Sequence, residues 1–416
     1  MMDYGDVMTT SDWPDNAMKY NGISWPTVCF DDAEAHFFTI GDWGGMCEGH
    51  CGAVVPMPNR HGVPLQNPVD YNAQTLVASQ MKVKAQELQQ KGTPPRFVLN
   101  VGDNFYPGGI NAHCDSVNTP SDSFLSWQFR QVFENMYKVE DLGNMEWWSV
   151  LGNHDYGGVC YIKGWDQQIF YTFKDGGRWI MPAQYWHRRV QFKTFDADIW
   201  FLDTNVLDTQ NPADNPDHNL CANRGNSDKF QYCEKNRFPP KEGTDASSCT
   251  ATGPTNPSDC TQWFDKLWGE QKKWFTDAVK KSDASWQIVV VHHPPSYSPG
   301  RGADTLNWQA IAREAGIDLI ISGHKHEQKV FYKGAHGGAD LEETAWVITG
   351  GGGGVTAEML PSTNGQDDAY GFMDMAISLE KIEITAISHG GVVRSKTTVY
   401  PRMKPSMQND EIEMVV

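Results

Sequence analysis

Apolar residues in this chain gather in short runs. His36–Ile40, Phe97–Val101, Trp147–Leu151, Ile199–Leu202, Ile288–Val291 and Leu319–Ser322 are each four or five residues long. A run of that length, bounded by Gly, Asp or Asn, predicts a strand buried on both faces. Between these runs the period changes. Tyr71–Gln90 spaces Leu76, Met81, Val83, Ala85 and Leu88 among polar residues, which predicts a helix. Phe124–Tyr137, Gln262–Lys281 and the shorter Leu306–Ala315 give the same expectation. Strand and helix in alternation predict an α/β fold with parallel pairing.

Four stretches depart from this pattern. Residues 1–35 read as an irregular lead-in, and residues 401–416 as a loose acidic tail. Residues 205–261 are rich in Asn, Asp, Pro, Gly and Cys and read as a long surface insertion. From residue 345 the chain turns to strands alone: Ala345–Thr349, Phe372–Ser378, Ile382–Ser388 and Val393–Tyr400. Residues 36–400 are therefore expected to form one domain.

Composition narrows the choice of function. A formal charge of −18 with no basic run repels nucleic acid, so no nucleic-acid partner is expected. No stretch of about 20 apolar residues is present, so no helical membrane span is expected. Cys221, Cys233, Cys249 and Cys260 fall inside the polar insertion, where disulfides would offset the missing core. They argue for a secreted chain, although the first residues show neither a basic nor an apolar leader segment. Nine cysteines leave at least one unpaired within the chain.

The candidate chemistry sits where the strands stop. Five runs end directly in metal-type ligands: Gly41-Asp42, Gly102-Asp103, Gly152-Asn153-His154-Asp155, His292, and Gly323-His324-Lys325-His326. Sites in open α/β sheets form outside the carboxyl ends of strands, so these five ends can converge. Taken singly, Asp42 and Asp103 would read as helix caps and Asn153 as a turn residue. His293 reads as a neighbour of a ligand, and Asp155 as a group orienting His154. Cys47 and Cys51 lack the second pair that a zinc site needs. The run Gly350–Gly354 lacks the helix and Lys-Ser/Thr of a P-loop.

In order and spacing these pieces resemble the metallophosphoesterase superfamily, and within it the low-molecular-weight purple acid phosphatases of the tartrate-resistant type. The matching segments are Gly41-Asp42-Trp43-Gly44, Gly102-Asp103-Asn104-Phe105-Tyr106, Gly152-Asn153-His154-Asp155, Val290-Val291-His292-His293-Pro294 and Gly323-His324-Lys325-His326. The resemblance implies a calcineurin-like β-sandwich, two mixed sheets flanked by helices, with a dinuclear centre at the strand ends. It implies that Asp42, Tyr106 and His326 hold Fe(III). Asn153, His292 and His324 would hold a divalent Fe, Zn or Mn, and Asp103 would bridge the two. His154 would contact the phosphate of a small phosphorylated substrate, and a metal-bound hydroxide would hydrolyse the monoester. The two ions carry about +5, against about four negative charges from Asp42, Asp103, a tyrosinate and a hydroxide. The residual charge would offset the acidic surface locally.

One departure stands out. The family's second substrate-contacting histidine follows the His-x-Pro segment by about nine residues, and here that stretch holds Arg301 and no histidine. Arg301 is expected to bind phosphate through its fork of donors. The alternatives are a diesterase or nucleotide hydrolase using divalent ions, and a non-catalytic scaffold on the same fold.

Overall fold

The computed structural model describes residues 14–45, 64–66, 68–110, 126–158, 161, 163–213, 218–222, 253–254, 257–297, 306–334 and 337–402. Fourteen strands occur among them: β1 (Ile23–Cys29), β2 (Glu34–Ile40), β3 (Pro95–Asn100), β4 (Glu146–Ser149), β5 (Trp179–Ile180), β6 (Trp186–Gln191), β7 (Asp196–Phe201), β8 (Trp286–Val290), β9 (Leu319–Ser322), β10 (Gln328–Phe331), β11 (Ala345–Thr349), β12 (Gly371–Ser378), β13 (Ile382–Ser388) and β14 (Val393–Val399). They form two seven-stranded sheets, ordered β1-β6-β7-β8-β9-β11-β10 and β14-β13-β12-β2-β3-β4-β5. Both are mixed. β2, β3, β4 and β5 pair in parallel, as do β7, β8, β9 and β11, and antiparallel strands complete each sheet.

The short apolar runs follow from burial on both faces. Side chains alternate across a strand, so each run divides between two cores. Phe37, Phe97, Leu99, Phe201, Ile288, Val290 and Ile321 meet between the sheets, in a core to which both sheets contribute. Phe97 stacks on Trp148 at 4.0 Å and on Phe37 at 4.9 Å there. The alternate residues, such as Phe38, Val98, Trp200, Val289 and Ile320, pack outward against helices. Val77, Met81 and Leu88 of helix Ala73–Gln90 belong to that outer layer, as do Phe264, Leu267 and Phe275 of helix Pro257–Val279. The fold is thus the expected one, two mixed sheets flanked by helices.

Some elements differ from expectation. The lead-in is not wholly irregular, because β1 lies within it and pairs in parallel with β6. The helix expected over Phe124–Tyr137 is, where described, a wide-turned segment over Phe129–Glu134. Its turns are of i→i+5 type, as in Asn135 N–H to Arg130 O at 2.9 Å. It sets Phe129 and Phe133 both against Trp179, at 5.2 and 5.3 Å. The helix read as Gln262–Lys281 starts earlier, at Pro257, a residue suited to a first turn. Of the insertion, the part holding Cys233 and Cys249 lies outside the described residues, as do Cys47 and Cys51. Cys221 and Cys260 form a disulfide that ties the insertion to helix Pro257–Val279.

β6 shows why a charged strand can be buried. Its Arg189 makes a bidentate pair with Asp198 of β7 at 2.8 and 2.9 Å, and His187 Nε2 lies 3.0 Å from the same carboxylate. Arg188 reaches Glu146 of β4 in the other sheet at 2.5 Å. Asp198 is 1% exposed, so removing it takes the carboxylate from buried His187 and leaves Arg189 with Asp283 and Asp196. Asp198→Ala is expected to destabilise the fold by about 2 kcal/mol in urea denaturation. A loss below roughly 1 kcal/mol would show that the network contributes little.

Candidate metal centre

β2, β3 and β4 of one sheet and β8 and β9 of the other all stop at one edge of the sandwich. The chain turns sharply there. Asp42, Asp103 and His324 all have left-handed backbone, with φ of 59°, 52° and 66°. Such conformations cost energy in a non-glycine residue and gather at functional sites. Two glycines let the turns close. A Cβ on Gly152 would collide with the Asp103 carboxylate, and one on Gly323 with that of Asp42.

The turns bring all seven expected ligand residues together. The Tyr106 hydroxyl donates to Asp103 Oδ2 at 2.8 Å and lies 3.2 Å from Asp42 Oδ1. His326 Nε2 stands 3.6 Å from Asp42 Oδ1. On the other side, His292 Nε2 is 3.4 Å from Asp103 Oδ1. Asn153 Oδ1 is 3.0 Å from His292 Nε2 and 3.1 Å from His324 Nδ1. Two overlapping donor sets result. One is Asp42, Tyr106 and His326, the other Asn153, His292 and His324, with Asp103 common to both.

Surrounding carbonyls aim the imidazoles. His292 Nδ1 lies 2.8 Å from Val101 O, and His326 Nδ1 lies 3.0 Å from Thr356 O. Each carbonyl takes an Nδ1–H and so leaves Nε2 as the donor atom that faces the carboxylates. His154 is half-buried at the rim. Its backbone N–H donates to Asp103 Oδ1 at 2.8 Å, its Nδ1 lies 2.5 Å from Pro107 O, and its ring sits 4.4 Å from that of Tyr106. Asp155 does not orient the His154 ring as the sequence suggested. Its carboxylate instead accepts from Gly152 N–H at 2.8 Å, Asn104 N–H at 2.9 Å and Gln168 Nε2 at 2.9 Å, which fixes the loop. Arg301 lies outside the described residues.

Electrostatics show what this cluster lacks. Asp42 and Asp103 are each 1% exposed, and among the described residues their ion-pair partners are histidines alone. Burial raises Asp42 well above the usual carboxylate range, relieved by His292 and raised further by Asp103. Asp103 would also be raised by burial, but His292 and His154 hold it well below. Burial alone would lower His292, yet Asp103 and Asp42 push it up to about 10. Burial and the same carboxylates raise Tyr106 well above its ordinary value. Without a cation, the proton on His292 carries balancing charge, and the proton kept on Tyr106 holds the phenol neutral. A buried set of carboxylate, phenol, amide and imidazole donors fits a pair of hard or borderline metal ions.

Three further residues adjoin the centre: Asp208, His218 and His293. Asp208 and His218 fall in the insertion and carry no motif, so no sequence signal marked them. Their place beside His324 is purely tertiary.

Metal binding must displace the His292 proton, because only neutral imidazole ligates. Near neutral pH, loading metal-free protein with zinc is expected to release the proton of His292, and that of Tyr106 as well where it ligates as phenolate. Affinity should therefore rise with pH until His292 loses its proton unaided at about 10. Calorimetry in buffers of different ionisation enthalpy reads that proton, and zinc binding without proton release would contradict the assignment.

Comparison with known proteins agrees with this geometry. The chain is 25% identical over 394 residues to purple acid phosphatase 7 of Arabidopsis thaliana, covering 92% of each protein. It is 22% identical over 388 residues to tartrate-resistant acid phosphatase type 5 of Mus musculus, covering 89% of this chain and 91% of that one. Among solved structures, GAP50, the anchor in the inner membrane complex of Plasmodium, shares the fold, with a TM-score of 0.54 and 20% identity over 90% of this chain and 91% of that one. The model of the calcineurin-like phosphoesterase family matches residues 40–328, a span holding all five strand-end motifs. On that match and on the two-sheet architecture around them, the chain belongs to the calcineurin-like phosphoesterase family.

Proposed function

We propose that this chain is an acid phosphatase that hydrolyses small phosphate monoesters at a dinuclear Fe(III)–M(II) centre, M being Fe, Zn or Mn. The observation that carries the reading is the pair of donor sets sharing Asp103, with Tyr106 in contact with both carboxylates. Asp42, Tyr106 and His326 would hold the trivalent ion, Asn153, His292 and His324 the divalent one, with Asp103 available to both. Once bound, the two cations would supply a nucleophile from water and clamp the attacking and leaving oxygens. Tyr106 selects the purple subclass, because a phenolate favours the harder trivalent ion.

The protein side chains perform the rest. His154 sits at the rim with Nδ1 engaged by Pro107 O, so its Nε2 is the atom that meets the phosphate and the departing alcohol. Asp155 keeps the loop rigid through four donors on Gly152, Asn104 and Gln168. Residues 36–400 act as the catalytic domain. The Cys221–Cys260 disulfide favours an oxidising, extracytoplasmic compartment. Among the described residues no helix is long and apolar enough to cross a membrane.

A diesterase using divalent ions, or a scaffold on this fold, would share the architecture. Rates on a mono- and a diester of one chromophore separate the first, and a clear diester preference would overturn the monoester reading. Metal analysis separates the second, since a chain without bound ions would have no hydrolytic centre.

Two variants test the roles. Tyr106→Phe is expected to abolish a visible absorption band of the iron-loaded protein, and a band surviving that change would exclude the tyrosinate ligand. His154→Ala is expected to lower kcat on p-nitrophenyl phosphate by roughly 100-fold while metal content stays unchanged. Wild-type turnover in that variant would remove His154 from the reaction.

A further inference from the structure

The three imidazoles of the proposed centre are not held alike. His292 and His326 each bond Nδ1 to a backbone carbonyl and present Nε2 inward. His324 is turned the other way, with Nδ1 as the inward atom, 3.1 Å from Asn153 Oδ1. Its backbone N–H donates to Asp42 Oδ2 at 3.1 Å, which fixes the main chain and leaves the ring to be set by something else. The torsion that turns an imidazole has only broad preferences of its own. Among the described residues no carbonyl bonds the ring of His324, and other rings surround it instead. Tyr297 packs against it at 4.2 Å, His293 at 4.5 Å and His218 at 5.4 Å. One carboxylate stands behind all three. Asp208 ends the short turn Asn205–Asp208 after β7 and is fully buried. Its Oδ1 accepts from the Tyr297 hydroxyl at 2.6 Å. Its Oδ2 lies 3.4 Å from His293 Nε2 and 3.7 Å from His218 Nδ1.

We propose that Asp208 is a positioning residue for the divalent ion: it gathers Tyr297, His293 and His218 into a cage that turns Nδ1 of His324 toward Asn153. The inference rests on the dinuclear reading, in which His324 is a ligand. Groups that aim a ligand ring act on metal affinity without touching the metal. His292 and His326 have a carbonyl for that task, and His324 has the cage. Two inner walls brace each other, since Tyr297 stacks on His293 at 4.9 Å and Thr204 Oγ1 lies 3.0 Å from the other ring nitrogen of His293. His218, 43% exposed, forms the solvent-side wall, and the Cys221–Cys260 disulfide anchors the segment that carries it. The trivalent side is held by other contacts, His326 by Thr356 O and Tyr106 by the two carboxylates. Loss of Asp208 should therefore weaken one metal position and spare the other.

The test is the affinity of the iron-loaded full chain for zinc, by competition with a chromophoric chelator, with iron content measured on the same samples. Asp208→Asn keeps the volume and an acceptor for Tyr297, and is expected to weaken zinc by roughly 10–100-fold while iron is retained. Cobalt(II) in place of zinc adds a spectroscopic readout. Its visible bands, taken as a difference against the zinc form, should shift in Asp208→Asn because the ligand geometry changes. Tyr297→Phe keeps the ring but loses the hydroxyl that meets Asp208, and should weaken zinc in the same direction. His324→Ala removes the ligand itself and should lose zinc outright. Wild-type zinc affinity in a folded Asp208→Asn, with zinc lost in His324→Ala, overturns the positioning role and leaves the dinuclear centre standing. Equal loss of zinc and iron in Asp208→Asn also overturns it, since general support would act on both positions. If circular dichroism shows Asp208→Asn unfolded, wild-type zinc affinity in Tyr297→Phe overturns it instead. Zinc retained in His324→Ala refutes the ligand assignment, and the positioning role with it.

Discussion

Two carboxylates, Asp42 and Asp103, are each 1% exposed and stand within reach of one phenol, with no lysine or arginine paired to them among the described residues. Burying two such groups together is expensive unless positive charge meets them. In the metal-free chain a proton on His292 meets part of that cost, which is why its imidazole is pushed up to about 10. The surrounding architecture keeps the pair in place. Left-handed turns at Asp42 and Asp103, side-chain-free positions at Gly152 and Gly323, and the Asp155 network all serve that placement. Strain and burial of this kind persist only where the rest of the fold over-determines them.

The sandwich provides that over-determination. Phe37, Phe97 and Trp148 stack between the sheets, and the alternate residues of the same strands pack under helices. A strand fixed on both faces has little freedom to slip, since a one-residue shift would exchange its two cores. The ends of β2, β3, β4, β8 and β9 are therefore rigid mounts. Donors on such mounts can be held close to ligating geometry before any ion arrives. The insertion adds chemistry to this frame, for it carries Asp208 and His218 to the side of His324 and is tied down by a disulfide.

Much of this was legible in the sequence because it is local. Runs such as Ile288–Val291 and Leu319–Ser322 announce strands buried on both faces, and β9 spans Leu319–Ser322 as read. Each of these candidate donors follows closely on its strand, so Asp42, Asp103, Asn153, His292, His324 and His326 stood out in the sequence, and the family resemblance gave them their expected roles. β6 was not legible, because its Trp-His-Arg-Arg core reads as polar and is made buriable by acidic partners elsewhere in the fold, Asp198 and Glu146 among them. β1 was missed for a similar reason, since Pro26 and scattered polar residues hide a strand whose partner is more than a hundred residues away.

The sequence by itself determined the strand ends and the donor types, because alternation and the residue after a buried run are properties of neighbours along the chain. Only the tertiary structure decided which donors share an oxygen, that Asp155 braces Gly152 and Asn104 and leaves the ring of His154 to Pro107, and that Asp208 stands between His218 and His293. Those are distances between residues of different elements. They are fixed by how two sheets pack across a common core, and no local pattern along the chain records them.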